Sequence, residues 1–305
     1  MSHRSAYFMV ALGAALWGIT GLFVTNLNTY GFTPWEVVGI RLSFSAVLIF
    51  LYLFITDRRL LYIRLRHIPF TIGTGIISIA FFNYFFFTVM HEASISLSVV
   101  LLYTGPVFVA IISRITFKEP FTANKLIALV LMMTGIAFTV EFFPAGQLSV
   151  GWDIVIFGIL SGFFYALYSI FGKYISKSYH TLTITAYSML FGALFLLPTS
   201  RLWEKTALFA EPGVLLNGLG LALFATVMAY ALYTLGLTYV ESSRAAILST
   251  VEPVVAILVG VLIFAESLTF WQVLGFALVL SSVKYTVKPA SAKISTNLLE
   301  FSRKN

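Results

Sequence analysis

The chain has 305 residues, of which 59% are hydrophobic, 16% aromatic and only 10% charged. Soluble domains run nearer ~25% charged, so a water-exposed globular fold is excluded, and the apolar residues recur too evenly for one anchor on a soluble domain. The net charge of +7, which in a soluble protein would suggest nucleic acid, is read here as basic loops on one side of a membrane. Zero cysteines exclude disulfides, thiolate metal sites and cysteine nucleophiles.

In chain order, runs nearly free of charge lie at about 6–26, 33–56, 68–90, 94–117, 122–142, 151–173, 180–199, 213–238, 243–265 and 269–287. Each is long enough to cross ~30 Å of hydrocarbon at ~1.5 Å per residue. Backbone polar groups in lipid must be satisfied within the segment, and the ~10-residue alternation of barrel strands is missing, so these are predicted helices. The first run lacks a cleavage site and is read as a retained span.

Orientation follows from Lys and Arg in the connections. With the amino terminus cytoplasmic, sixteen basic residues fall inside, among them Arg58, Arg59, Arg64, Arg66, Arg114, Lys118 and Lys125, whereas only Arg201 and Lys205 fall outside. Both termini are thus expected in the cytoplasm of a plasma-membrane protein, which requires an even number of spans.

A shift of 147 positions superimposes GPVFVAIISRITFKEPFT on EPVVAILVGVLIFAESLT, aligning Pro106 with Pro253, Glu119 with Glu266 and Thr122 with Thr269. The same shift places Asn83 on Tyr230 and Arg41 on Ser188. Two repeats, 1–145 and 146–290, each hold five spans, followed by a cytoplasmic tail at 291–305. Five is odd, so the second copy enters the bilayer upside down. The fold class expected is an all-α membrane protein of ten transmembrane helices in two inverted five-helix repeats.

Four stretches carry a resemblance to a known family: ALGAALWGITGLFVTNL with TPWEVVGIRLSFSAVLI, SVVLLYTGPVFVAIISRITFKEPFTANKLIALVLMMTGI, LSGFFYALYSIFGKYISKS with LTITAYSMLFGALFLLP, and SSRAAILSTVEPVVAILVGVLIFAESLTFWQVLGFALVL. From about residue 6 to 288 the chain resembles the EamA family of the drug/metabolite transporter superfamily. The resemblance implies a ten-helix inverted repeat that moves small solutes, often as an exporter of amino acids or other metabolites. It departs at Tyr165, where the family commonly carries Trp.

Several residues are candidates for chemistry. Pro106 and Pro253 lie inside spans four and nine, where each removes an N–H and deprives the carbonyl of Leu102 or Ser249 of its helical partner. Interrupted helices at matching positions mark a transport site or hinge; the plain alternative is a kink tolerated by neighbours. Glu252 is the acid deepest in any span, close to the bilayer middle, and is open to amine binding, proton coupling or a buried structural pair. Arg41, ~12 Å down the second span, is its natural partner, or else its stem snorkels outward. Glu36 lies five residues before it, an imperfect spacing for a pair along one helix.

Trp17, Tyr84, Tyr103, Tyr165, Tyr168, Tyr230 and Asn83 lie near the middle of their helices. Aromatics with a polar tip suit a cavity for small amphipathic solutes, although helix packing is the commoner use. Gly158 and Gly162 read as close packing, and Arg114, Lys118 and Lys125 as an inside-facing anchor. His91-Glu92 lacks the second histidine of a zinc motif, and no Walker loop is present. No metal or cofactor is called for, and uphill transport should use an ion gradient, protons being the candidate. The expected function is a secondary transporter of small solutes, zwitterions such as amino acids included, and not an enzyme. The rivals are an integral membrane enzyme, for which Glu252, Arg41 and Asn83 offer too few groups, and a channel, against which broken helices in a two-fold repeat argue.

Overall fold

The computed structural model describes residues 1–142, 151–265 and 267–288, and within them it is all-helical. Ten apolar helical segments succeed one another: α1 (His3–Thr29), α2 (Pro34–Thr56), α3 (Leu65–Glu92), α4 (Ile95–Thr116), α5 (Ala123–Thr139), α6 (Trp152–Ile175), α7 (Thr181–Ser200), α8 (Pro212–Tyr239), α9 (Ser242–Ile263) and α10 (Phe270–Val287). All but α5, the shortest, are long and apolar enough to span a bilayer on their own. Residues such as Val47, Leu51, Ile55, Leu216 and Leu262 are exposed on the outside of the bundle. An apolar exterior is what lipid, rather than water, solvates. Glu266 and the tail 291–305 lie outside the described residues.

Polar residues at the element boundaries start the helices. Thr33 accepts from the Glu36 N–H while Glu36 reaches back to the Thr33 N–H, a capping box closed by Pro34 in the first turn. Thr122 caps α5 through the Lys125 N–H, and Thr269 caps α10 through the Gln272 N–H. The aligned threonines of the repeat are therefore matching N-caps.

The packing is two-fold related. Helix α1 packs on α8 and α9, and α6 packs on α3 and α4; α2 meets α7, and α5 meets α10 along its length. Exchanging each helix for the one five places away in the other half turns the first pair of contacts into the second, and maps the α2–α7 and α5–α10 contacts onto themselves. The register holds at atomic scale where α2 crosses α8 and α7 crosses α3. Ser45 Oγ donates to the Ala222 carbonyl (3.1 Å), and at the positions 147 residues away a Cβ on Gly192 would lie 3.2 Å from the Gly75 carbonyl oxygen.

The expected breaks in α4 and α9 are present, one residue from the 147 register. Helix α4 is cut at Tyr103–Thr104 and α9 at Ser249–Thr250. Pro253 has no N–H to give the Ser249 carbonyl, which accepts instead from the Glu252 N–H at 3.0 Å. Each break is held by a glycine of the other half. A Cβ on Gly162 of α6 would come within 2.9 Å of the Leu101 and Leu102 carbonyls. One on Gly18 of α1 would lie 2.6 Å from the Glu252 carbonyl. Backbone therefore touches backbone where hydrogen bonding is interrupted.

Three further irregularities were not expected. Helix α1 is interrupted at Ile19, opposite the break in α9. Two π-helical turns occur, Gly73–Ala80 in α3 and Leu223–Met228 in α8. They occupy corresponding places in the two halves, and π-turns concentrate at functional sites.

Candidate functional site

A cavity of about 370 Å³ runs from the face carrying the 30–33 and 93–94 connections down to the broken helices. Its mouth is formed by Asn28, Pro34, Met90 and Ile95, and its depth by Trp17, Arg41, Asn83, Tyr165, Tyr230 and Glu252. The volume falls at the low end of the roughly 300–1,000 Å³ usual for small-molecule sites. Six sequence candidates from six helices thus converge on one space.

The charged groups decide its chemistry. Arg41 does not snorkel outward; its guanidinium carbon stands 5.7 Å from the centre of the Tyr230 ring, and its Nε is buried with no partner. A guanidinium over a tyrosine face gains ~0.5–2 kcal/mol yet keeps donors free for an anion. Glu252 faces the same cavity, with the Tyr103 hydroxyl in reach and Arg41 as its charged neighbour. Among the described residues no ion pair at 4 Å or less joins Arg41 to Glu252, nor Arg41 to Glu36. Glu36 binds Lys205 instead at 2.7 Å, across the mouth side of the molecule. The cavity thus holds one cation and one acid, held apart.

Beneath them lies an aromatic layer. Trp17 packs edge-on against Tyr230 (4.9 Å between ring centres) and on Tyr233 (5.1 Å), while Tyr168 meets Tyr230 at 4.9 Å. Three hydroxyls are tied down: Tyr165 donates to Ser249 Oγ (3.1 Å), Tyr168 pairs with Thr234 (2.8 Å) and Tyr233 with Ser169 (2.7 Å). Tyr165, at the position where the resemblance led one to expect Trp, thereby fixes the break in α9. Tyr168 is buried beneath the cavity.

Two candidates behave differently. Asn83 is 4% exposed and donates back to the Ile79 carbonyl at 2.7 Å, so its amide nitrogen is satisfied by its own helix. Tyr84 is not in the cavity. It is 55% exposed and lines a separate apolar groove of about 720 Å³ with Trp35, Phe85 and Phe195 on the outside of the bundle. Consecutive helical residues point ~100° apart, so Asn83 and Tyr84 cannot both face inward.

The opposite face is shut by a polar network whose role the sequence reading missed. Glu119, between α4 and α5, accepts from the Ser242 N–H (2.6 Å), the Ser243 N–H (3.2 Å) and Ser243 Oγ (2.6 Å), capping α9. Lys125 is no surface anchor; it is 2% exposed and binds Glu241 (2.8 Å), Glu119 (3.8 Å) and the Pro120 carbonyl (2.8 Å). Arg244 joins Glu241 (2.9 Å) to Tyr7 and the Thr286 carbonyl. Lys173 closes the end of α8 on the carbonyls of Leu237 and Val240, both at 2.6 Å. Burial alone would raise the Glu119 pKa, but the serine donors and the Lys125 charge outweigh it and hold the carboxyl below the usual carboxylate range. The signal available in sequence was Glu119 itself, aligned with Glu266.

The EamA-like transporter family matches the chain twice, over residues 4–141 and 152–287. The chain belongs to this family. It is 30% identical to an uncharacterized transporter of Archaeoglobus fulgidus over 90% of this chain and 93% of that one. It is 24% identical to the inner membrane transporter YicL of Salmonella typhimurium over 92% and 95% of the two chains. A crystal structure with 14% sequence identity superposes with a TM-score of 0.78, covering 94% of this chain and 97% of the other, which shows the shared fold. As an EamA-like protein the chain is a multi-pass membrane transporter, and the two matches take α1–α5 and α6–α10.

Proposed function

We propose that this protein is a gradient-driven secondary transporter that exports small zwitterionic metabolites, amino acids among them, across the plasma membrane. It is read as a carrier and not as an enzyme. The observation that carries this reading is the cavity in which Arg41 and Glu252 stand apart over an aromatic floor at two broken helices. A zwitterion can offer its carboxylate to Arg41 and its ammonium to Glu252, replacing the water each loses on binding.

The cavity is open at one face and closed at the other by the aromatic layer and the Glu119–Lys125–Glu241–Arg244 network, which fits a carrier in one of two alternating states better than an open channel. The halves 1–145 and 146–290, inverted with respect to each other, would supply the helix groups that rock, with Pro106 and Pro253 at the hinges. Both termini and the closed face belong to the cytoplasm under this reading.

The test is counterflow in liposomes after a stability-shift screen against amino acids, amines, nucleosides and vitamins. Accumulation of a labelled amino acid against an internal excess of the same compound is expected. Simple equilibration without overshoot would indicate a channel. Glu252→Gln is expected to flatten the pH profile of this exchange while leaving expression normal; an unchanged profile would assign Glu252 to substrate binding or structure rather than proton coupling.

Orientation is tested on a chain without cysteine. Tyr62 and Thr206 are both exposed, in connections on opposite faces. In intact cells Thr206→Cys should react with an impermeant thiol reagent and Tyr62→Cys should not. Labelling of position 62 would invert the assignment.

A further inference from the structure

On the face opposite the cavity mouth, a second recess of about 460 Å³ lies between the α2–α3 connection and the α6–α7 connection. Arg59, Arg64, Arg66, His67, Tyr179 and His180 are among its lining residues. We propose that this recess is a binding site for the phosphate-bearing headgroup of an anionic membrane lipid.

The walls are fixed and the charges are free. Thr183 Oγ1 donates to the Leu60 carbonyl (2.7 Å), Tyr187 Oη donates to the Leu61 carbonyl (2.8 Å), and the Tyr179 hydroxyl accepts from the Arg64 N–H (3.1 Å) and bonds His67 Nδ1 (2.7 Å). These bonds pin a connection of the first half to α7 and to the α6–α7 connection of the second. By contrast, the side chains of Arg59, Arg64 and Arg66 are exposed and enter no ion pair or hydrogen bond among the described residues. Asp57, the nearest acid in sequence, is turned to the Arg59 N–H (3.0 Å) as a helix cap.

Ordinary positive-inside loops need only carry charge; here three unpaired guanidinium groups converge on one rigid, polar recess. Guanidinium groups suit phosphate oxygens, which they can bind in pairs. Two exposed apolar side chains, Tyr62 (68%) and Leu65 (83%), stand beside the arginines at the end of the spans. Apolar and cationic groups side by side match a lipid, with its headgroup and acyl chains, better than free phosphate.

Purified full-length protein is titrated with dioctanoyl phosphatidylglycerol, dioctanoyl phosphatidylcholine and inorganic phosphate, with binding read by native mass spectrometry and by thermal shift. The phosphatidylglycerol should bind, and the other two should not at equal concentration. Basic residues near an anionic surface contribute about fivefold each in affinity, so Arg59→Gln/Arg64→Gln/Arg66→Gln together should weaken binding roughly a hundredfold. Arg64→Gln alone should weaken it about fivefold, and carries the test where the triple variant does not purify as a monodisperse species. A control that removes Arg4, Lys118 and Lys284 from the same face should change affinity less than fivefold. Equal losses in the two triple variants would reduce the effect to general surface charge and overturn the site. Equal binding of phosphatidylcholine would overturn the role of charge, and equal binding of inorganic phosphate would make this a free-anion site instead.

Discussion

Arg41→Ala is expected to raise the concentration of an amino acid needed for half-maximal counterflow by about 30-fold or more, while counterflow of the corresponding decarboxylated amine is unchanged or improved. Truncating one partner of a desolvated charge pair costs about 2–5 kcal/mol, and 1.4 kcal/mol is tenfold in affinity. Among the described residues no ion pair at 4 Å or less competes for Arg41: Glu36 is committed to Lys205, and Arg41 Nε is buried without a hydrogen bond. The sign for the amine comes from Coulomb repulsion, since two like charges ~4 Å apart interact by ~4 kcal/mol at an effective dielectric of 20. Arg41→Lys should fall between wild type and Ala, because it keeps the charge and loses the planar fork. Equal losses for acid and amine would show that Arg41 shapes the cavity without reading the carboxylate.

Glu119→Ala is expected to destabilise the closed face by about 3–5 kcal/mol, the cost of removing one member of a buried charge network. It removes the acceptor of three hydrogen bonds at the start of α9 and one of two carboxylates facing buried Lys125. Glu119→Gln keeps the shape without the charge and exposes a pH signature. The native carboxyl sits below the usual range, so its contribution is fully present above the unfolded value and is lost as pH falls toward the lower native one. Thermal unfolding should therefore show wild type more stable than Glu119→Gln at neutral pH, with the two curves converging in acid. A difference that stays constant down to pH 3 would mean that geometry, and not ionisation, is what Glu119 contributes.

Much of this architecture could be read before any coordinates. Lipid forces each apolar run into a helix, so ten runs gave ten helices, and Pro106 and Pro253 located the breaks in α4 and α9 within a few residues. Depth along a helix was also legible, which is why Arg41, Glu252, Trp17 and Tyr230 meet. The face of a helix was harder. In a soluble protein the polar side announces itself, but here lipid-facing and cavity-facing positions are both apolar, so Tyr84 could not be told from Asn83. The network at the closed face was hidden for another reason. Glu119 and its serine donors are 123 and 124 residues apart in sequence, and a lysine in a basic loop reads as an anchor until Glu241 is found against it.

The two π-helical turns set the rotational phase of the helical segments beyond them. Each accommodates an extra residue without breaking the rod, so the side chains past the turn are rotated by ~100° relative to a regular helix. In α3 the turn ends at Ala80, two residues before Phe82 and ahead of Asn83, Phe86 and Phe87; in α8 it ends at Met228, two residues before Tyr230. All five line the cavity. Deleting one residue inside either turn would give a more regular helix and a better backbone ladder, yet it would swing that half's lining residues out of the cavity and carry lipid-facing ones in. The irregularity acts as a dial by which a duplicated scaffold chooses the face it shows to its solute, independently on each side.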